Sequence, residues 1–145
     1  MKIGENPIDC LVVDANALLQ AAVGGRSLLI FRHLEGKSDF HTTVSAFEEV
    51  LEYLPYLSAK KNVALGDTLA ALYNLPLKVH TPDIYKETYT KAWNKIHSKD
   101  VDDVPLLALA LFLKAPIWTN NTKHFKDCGV EFYSTFELFK KLGLD

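Results

Sequence analysis

The chain has 145 residues, 48% of them hydrophobic, which suits one globular domain over 1–145 and leaves too little for a second core. Lys and Arg number 16 against 18 Asp and Glu, so the formal charge of -2 excludes a general attraction for polyanions and requires any nucleic-acid contact to be local. The stretch Met1 to Cys10 has no apolar signal core, and the longest apolar run, Val104 to Leu113, falls well short of the ~20 residues of a membrane helix, so no membrane is expected and the chain reads as soluble and cytoplasmic.

Strand-length apolar runs alternate with helical patterns, the ordering of an α/β fold with a central parallel sheet of about five strands and helices on both faces. The first strand is predicted at Cys10 to Val13, closed by Asp14, followed by a helix over Ala15 to Val23 and another over Ser27 to Leu34. Phe40 to Thr43 reads as strand two. Ser45 then opens a helix on which Phe47, Val50, Leu51 and Leu54 repeat at helical spacing, until Pro55 bends or ends it. A further helix is predicted from Ala59 to Leu75, then a brief strand from Leu77 to His80. Thr81 and Pro82, as N-cap and first helical residue, start a helix that runs to Ile96. Val104 to Lys114 is apolar nearly all round, the mark of a buried helix. Pro116 to Thr119 and Val130 to Tyr133 read as strands four and five. Ser134 and Glu137 form a capping-box pattern for a last helix that stops at Gly143. Cys10 and Cys128 have neither metal spacing nor a disulfide framework and are expected as reduced thiols.

In a doubly wound sheet the ligand sits beyond the carboxyl ends of the strands, where the strand order reverses. Asp14 stands at one such end, Glu48 and Glu49 lie one helical turn past strand two, Asp102 and Asp103 open the buried helix, and Asn120 and Asn121 follow strand four. A lone Asp after a strand is most often a cap or turn residue. Acids arriving at one rim from several strand ends repel one another, and a hard divalent cation such as Mg²⁺ or Mn²⁺, which takes oxygen ligands, relieves the repulsion. Such an ion suits phosphodiester hydrolysis by activating water and neutralising charge on the phosphate.

Three segments carry the acids in order: Leu11-Val12-Val13-Asp14-Ala15-Asn16-Ala17-Leu18-Leu19, Thr43-Val44-Ser45-Ala46-Phe47-Glu48-Glu49-Val50-Leu51, and Asp100-Val101-Asp102-Asp103-Val104-Pro105-Leu106-Leu107-Ala108-Leu109-Ala110. Together they resemble the PIN domains, a family that includes the toxin nucleases of bacterial and archaeal toxin-antitoxin pairs. The resemblance implies a metal-dependent endoribonuclease, with Asp14, Glu49 and Asp103 on the metal-ligand positions. It brings RNA as substrate, an antitoxin protein as a candidate partner and a homodimer as a candidate assembly, for which the apolar Leu65 to Leu75 stretch offers a helical face. The family's fourth motif, Thr, small residue, Asp, here reads Thr119-Asn120-Asn121, so an amide stands where an acid is usual. Asn121 can still offer one carbonyl oxygen at the site, without charge.

Local physics separates the adjacent glutamates. Ser45 and Glu48 are spaced as a capping box, which makes Glu48 structural and leaves Glu49 as the ligand. Asp100 and Asp102 read as cap or solvated charge, with Asp102 also a candidate support behind the ligands. Asn16 and Thr119 are candidate hydrogen-bonding supports. Lys123 and His124 are assigned to substrate binding, while Lys99 and Lys126 flank the acids. Trp118 and Phe125 are candidates for base stacking or for the core. His33, His41, His80, His97 and His124 show no paired zinc spacing. The rival readings are a PIN-like module that has lost catalysis and serves as an RNA-binding scaffold, motivated by Asn121, and a haloacid-dehalogenase-like phosphatase, which wants a second Asp where Asn16 stands.

Overall fold

The computed structural model describes residues 8–144, so the stretch ahead of Ile8, read above for a signal core, lies outside the described residues. In chain order the elements are β1 (Cys10–Val13), α1 (Ala15–Ala22), α2 (Arg26–Leu34), β2 (Asp39–Thr43), α3 (Val44–Lys60), α4 (Leu65–Tyr73), β3 (Leu77–His80), α5 (Lys86–Ile96), α6 (Val104–Leu113), β4 (Ile117–Trp118), α7 (Thr122–Phe125), β5 (Phe132–Tyr133) and α8 (Thr135–Leu142). The five strands form one parallel sheet in the order β3-β2-β1-β4-β5. The chain moves outward from β1 through β2 to β3, then crosses back to β4 on the other side. The strand order therefore reverses between β1 and β4, which leaves a crevice at their carboxyl ends.

Alternation along the strands decides what each face packs against. Leu11, Val13 and Trp118 point into a core shared with α1 to α4 and α8, whereas Val12 and Ile117 point into a second core with α5 and α6. Both faces are covered, as a parallel sheet requires. Trp118 is fully buried, 5.1 Å from the ring of Phe31, and Phe125 is buried in the second core, so neither is free to stack on a base. The apolar α6 is buried along most of its length, and the capping box of Ser134 with Glu137 is complete on α8.

Four expectations are corrected. The N-cap of α3 is Thr43, not Ser45: the last strand residue keeps an extended backbone (φ -99°, ψ 157°), and its Oγ1 accepts from the Ala46 amide at 3.1 Å. With no connecting loop, the helix starts two residues earlier than the Ser45 to Glu48 pattern implied, and that capping box has no place to form. Pro55 does not end α3, because Val50, Leu54 and Ser58 anchor the helix to the core on either side of it.

The helix expected from Ala59 to Leu75 is broken. Asn62 adopts a left-handed conformation (φ 58°), which an Asn tolerates, and α4 starts afresh at Leu65. The hydroxyls of Ser58 and Thr68, 2.8 Å apart and buried, hold the two helices together. Of the apolar stretch here, α4 turns Leu72 inward and leaves Leu65 and Tyr73 exposed.

Pro82 starts only a short 3-10 turn, Pro82–Ile84, and Thr81 gives its hydroxyl to the Asp83 carboxylate instead of capping a backbone amide. Tyr85, drawn into the second core, leaves the helical region before α5 begins.

Candidate active site

Asp14 stands where β1 gives way to α1, at the switch point. Its Oδ1 accepts from the Ala15 amide at 2.7 Å, and its Oδ2 accepts from the Thr119 hydroxyl at 2.7 Å. Thr119, fully buried at the end of β4, in turn accepts from the Asn121 amide at 3.0 Å. The backbones of the two strands are joined at the same level by Asp14 N to Trp118 O, 2.9 Å. A bond network of this kind fixes both the rotamer of Asp14 and the course of the loop after β4.

A pocket of about 710 Å³ opens beside this pair. Its lining includes Asp14, Glu48, Glu49 and Glu52, Asp100, Asp102 and Asp103, and Asn121. Thus the three predicted ligands and Asn121 do meet at one rim. Asn16 does not line the pocket: its Oδ1 accepts from Asn120 Nδ2 at 2.9 Å, and Asn120 Oδ1 accepts from the Thr135 amide at 3.0 Å, so this pair stitches the loop after β4 to the start of α8.

Asp103 is buried just ahead of α6, and its Oδ2 lies 2.7 Å from His124 Nδ1 on α7. His124, predicted as a substrate contact, is therefore turned toward an acid of the rim. Lys123 is exposed, and Lys99 gives its ammonium to the carbonyls of Lys126 at 3.2 Å and His124 at 3.4 Å.

Asp102 lies in the 3-10 turn Val101–Asp103, which Asp100 caps by accepting from the Asp102 amide at 3.0 Å. Asp100 also stands beside the rim: it, Asp103 and His124 each offer a ligand atom within 4.8 Å of the others. Sequence reasoning missed Asp100 as a possible ligand, and missed Glu52, Tyr53 and Tyr89 on the pocket wall. The spacing from Glu49 to Tyr53, one helical turn, was the available signal for the first tyrosine.

Burial is the main cause of the site's electrostatics. It pushes Asp103 from 3.8 up to about 6, with Asp14 and Asp100 adding to the rise and the His124 hydrogen bond opposing it. Asp14 is raised by burial against the pull of its Thr119 and Ala15 hydrogen bonds. Glu49 is raised by burial and then by Asp14, Asp102 and Asp103. Among the described residues no lysine or arginine pairs with these acids. Crowded oxygen donors with no cation among them are the donor set a hard divalent ion takes.

These features define a class: a doubly wound parallel α/β domain with an acid-lined rim at its switch point. Residues 12–142 match the family model of the PIN domain, and the chain belongs to that family. Among solved structures it is similar to VapBC2 from Rickettsia felis bound to a DNA fragment from the promoter, with a TM-score of 0.66, 16% identity, and coverage of 86% of this chain and 98% of that one. It is also similar to FitAB bound to the IR36 DNA fragment, with a TM-score of 0.52, 16% identity, and coverage of 87% and 95%. At such identity the likeness concerns the fold. No curated protein sequence matches the chain.

Proposed function

We propose that the domain is a metal-dependent endoribonuclease that hydrolyses RNA phosphodiester bonds at the acidic pocket. The observation that carries this reading is the convergence of Asp14, Glu49 and Asp103 from the end of β1, from α3 and from the turn before α6, with no lysine or arginine among the described residues paired to them. In it these three carboxylates hold Mg²⁺ or Mn²⁺, Thr119 orients Asp14, and Asn121 and Asp102 border the ion's place. A bound ion supplies activation of water and neutralisation of phosphate charge. The protein's part is to keep the carboxylates apart at fixed angles and to admit one phosphate between them.

The PIN family membership supports an antitoxin protein as partner and the cytoplasm as location, and a homodimer is the assembly proposed. No helix among the described residues is long and apolar enough to cross a membrane. A phosphatase of the haloacid-dehalogenase type is disfavoured, because the position of its second Asp holds Asn16, whose side chain bonds Asn120 away from the pocket. A scaffold without catalysis would bind RNA and leave it intact.

The deciding experiment is Asp14→Asn. The amide oxygen still accepts from Ala15, so α1 keeps its cap, and the variant is expected to melt no lower than the parent without metal while losing Mn²⁺-dependent cleavage of single-stranded RNA. Undiminished cleavage would place the chemistry elsewhere. If neither form cuts RNA with Mn²⁺, the scaffold reading takes over.

A further inference from the structure

A polyanion approaching this pocket meets seven carboxylates, and the chain as a whole carries a formal charge of -2. Counterion release, the usual source of RNA affinity, is therefore weak at the place where the phosphate must sit. Another term has to hold the strand. Stacking of bases on aromatic rings is the other large contribution for single-stranded RNA, and it is indifferent to charge.

The pocket wall supplies such rings. Tyr53 on α3 and Tyr89 on α5 both line it, 52% and 38% exposed respectively. Tyr53 follows Glu49 by four residues and so shares its helix face. On α5 and its C-cap, Lys86, Tyr89, Trp93 and His97 recur at intervals of three and four, forming one exposed stripe beside the buried Ala92 and Ile96. The ring of Trp93 lies flat against His97, with centroids 4.7 Å apart and planes 4° from parallel. The same helix carries Lys86, Lys91 and Lys95 against Glu87 alone, so it is locally basic in an acidic chain.

An aromatic helix face that carries Lys86 at its start and is continuous with an acidic cleavage pocket fits one occupant better than others. A partner docking on hydrophobic area would gain nothing from the ammonium of Lys86, whereas a nucleic-acid strand uses both it and the rings. We propose that Tyr53 and Tyr89 stack the nucleobases flanking the scissile phosphate of a single-stranded RNA, and that the strand continues along α5 over Trp93. This rests on the ribonuclease reading above and adds a preference for unpaired strands, because bases must be splayed from their neighbours to reach the rings.

The test is fluorescence anisotropy with a short labelled single-stranded RNA of mixed sequence, in EDTA so that no strand is cut. Tyr89→Ala and Tyr53→Ala should each weaken binding by about tenfold, with the loss persisting at raised salt, while Tyr89→Phe stays within about twofold of the parent. Trp93 is the exposed one of two tryptophans, Trp118 being buried, so RNA should also quench the parent's tryptophan emission. The same RNA annealed into a duplex should bind more weakly. Melting curves of the alanine variants establish that they fold.

If the parent binds the single strand and both alanine variants bind it equally well, the stacking proposal is overturned and the ribonuclease reading survives. If the parent binds no RNA in EDTA and cuts none with Mn²⁺, both fall together. If the variants keep RNA affinity but alter the sedimentation of the protein, the stripe is a protein interface and the proposal is wrong.

Discussion

His124 Nδ1 lies 2.7 Å from Asp103 Oδ2, and this contact joins the short α7 to the start of α6 across 21 positions of sequence. It occupies one carboxylate oxygen and leaves the other for the pocket. A histidine that steers a ligating carboxylate is worth roughly 10 to 100-fold in metal affinity. His124→Ala is therefore expected to weaken Mn²⁺ binding by about tenfold in calorimetric titration without RNA. His124→Asn, whose amide nitrogen can stand near the place of Nδ1, should recover most of the loss. Asp103→Asn should lose more than either. Equal affinities for parent and alanine variant would show that the histidine only packs.

The two adjacent glutamates are separated by the helix register that Thr43 imposes. Both are exposed and both border the pocket, but the carboxyl of Glu49 is raised by burial and then by the charges of Asp14, Asp102 and Asp103. Glu49→Gln should lower Mn²⁺ affinity and remove cleavage with little change in melting. Glu48→Gln caps nothing, since no capping box exists at this helix, and should alter stability by less than about 0.5 kcal/mol and activity little. Loss of cleavage in the Glu48 variant alone would reverse the assignment.

Asn121 borders the pocket, and its backbone is held by Thr119. Asn121→Asp adds a carboxylate where crowding is already high. Melting of the metal-free variant should fall and recover on adding Mn²⁺, because an ion bound only by the folded state stabilises it. Mn²⁺ affinity should rise, most visibly without RNA. An affinity unchanged from the parent would mean that the side chain faces away from the ion.

At the β3 edge of the sheet, His41 Nδ1 and His80 Nε2 are 2.8 Å apart on β2 and β3. Burial lowers both rings from 6.5, and for His41 the charges of His80 and Lys78 lower it further. The folded state thus binds fewer protons than the unfolded one below 6.5, so their contribution to stability is complete above that value and is lost as the pH falls through it. Urea midpoints should drop between about pH 7.5 and about pH 5.5, and His80→Gln should flatten that dependence. A variant with the parent's slope would assign the acid sensitivity to other groups.

Much of the fold was legible because its signals are local. Strand-length apolar runs, the all-apolar α6 and the Ser134 to Glu137 box each depend on residues within a few positions of one another, and each is present in the structure. The misreadings at Pro55 and Pro82 have one origin: at each, the packing of neighbours decided between two locally acceptable conformations. At Ser45, by contrast, the last strand residue took the cap, and at Asn62 a left-handed backbone broke the helix. Tyr85 broke a helix that its own segment favoured, because its ring fills the second core.

For the site, the order and spacing of Asp14, Glu49 and Asp103 were sufficient to name the family, since each acid follows an element whose end is marked in sequence. Their sharing of one pocket depended on the reversal of strand order between β1 and β4, which no local pattern encodes. The contacts of Thr119 with Asp14, across 105 positions, and of His124 with Asp103 arose the same way. Tyr89 joined the pocket only because α5 packs on α6. Sequence alone determines which residues can carry charge, cap or stack, because those are properties of single side chains and short spacings. Tertiary structure decides which of them meet, because burial and Coulomb energy depend on distances that the chain sets only after it has folded.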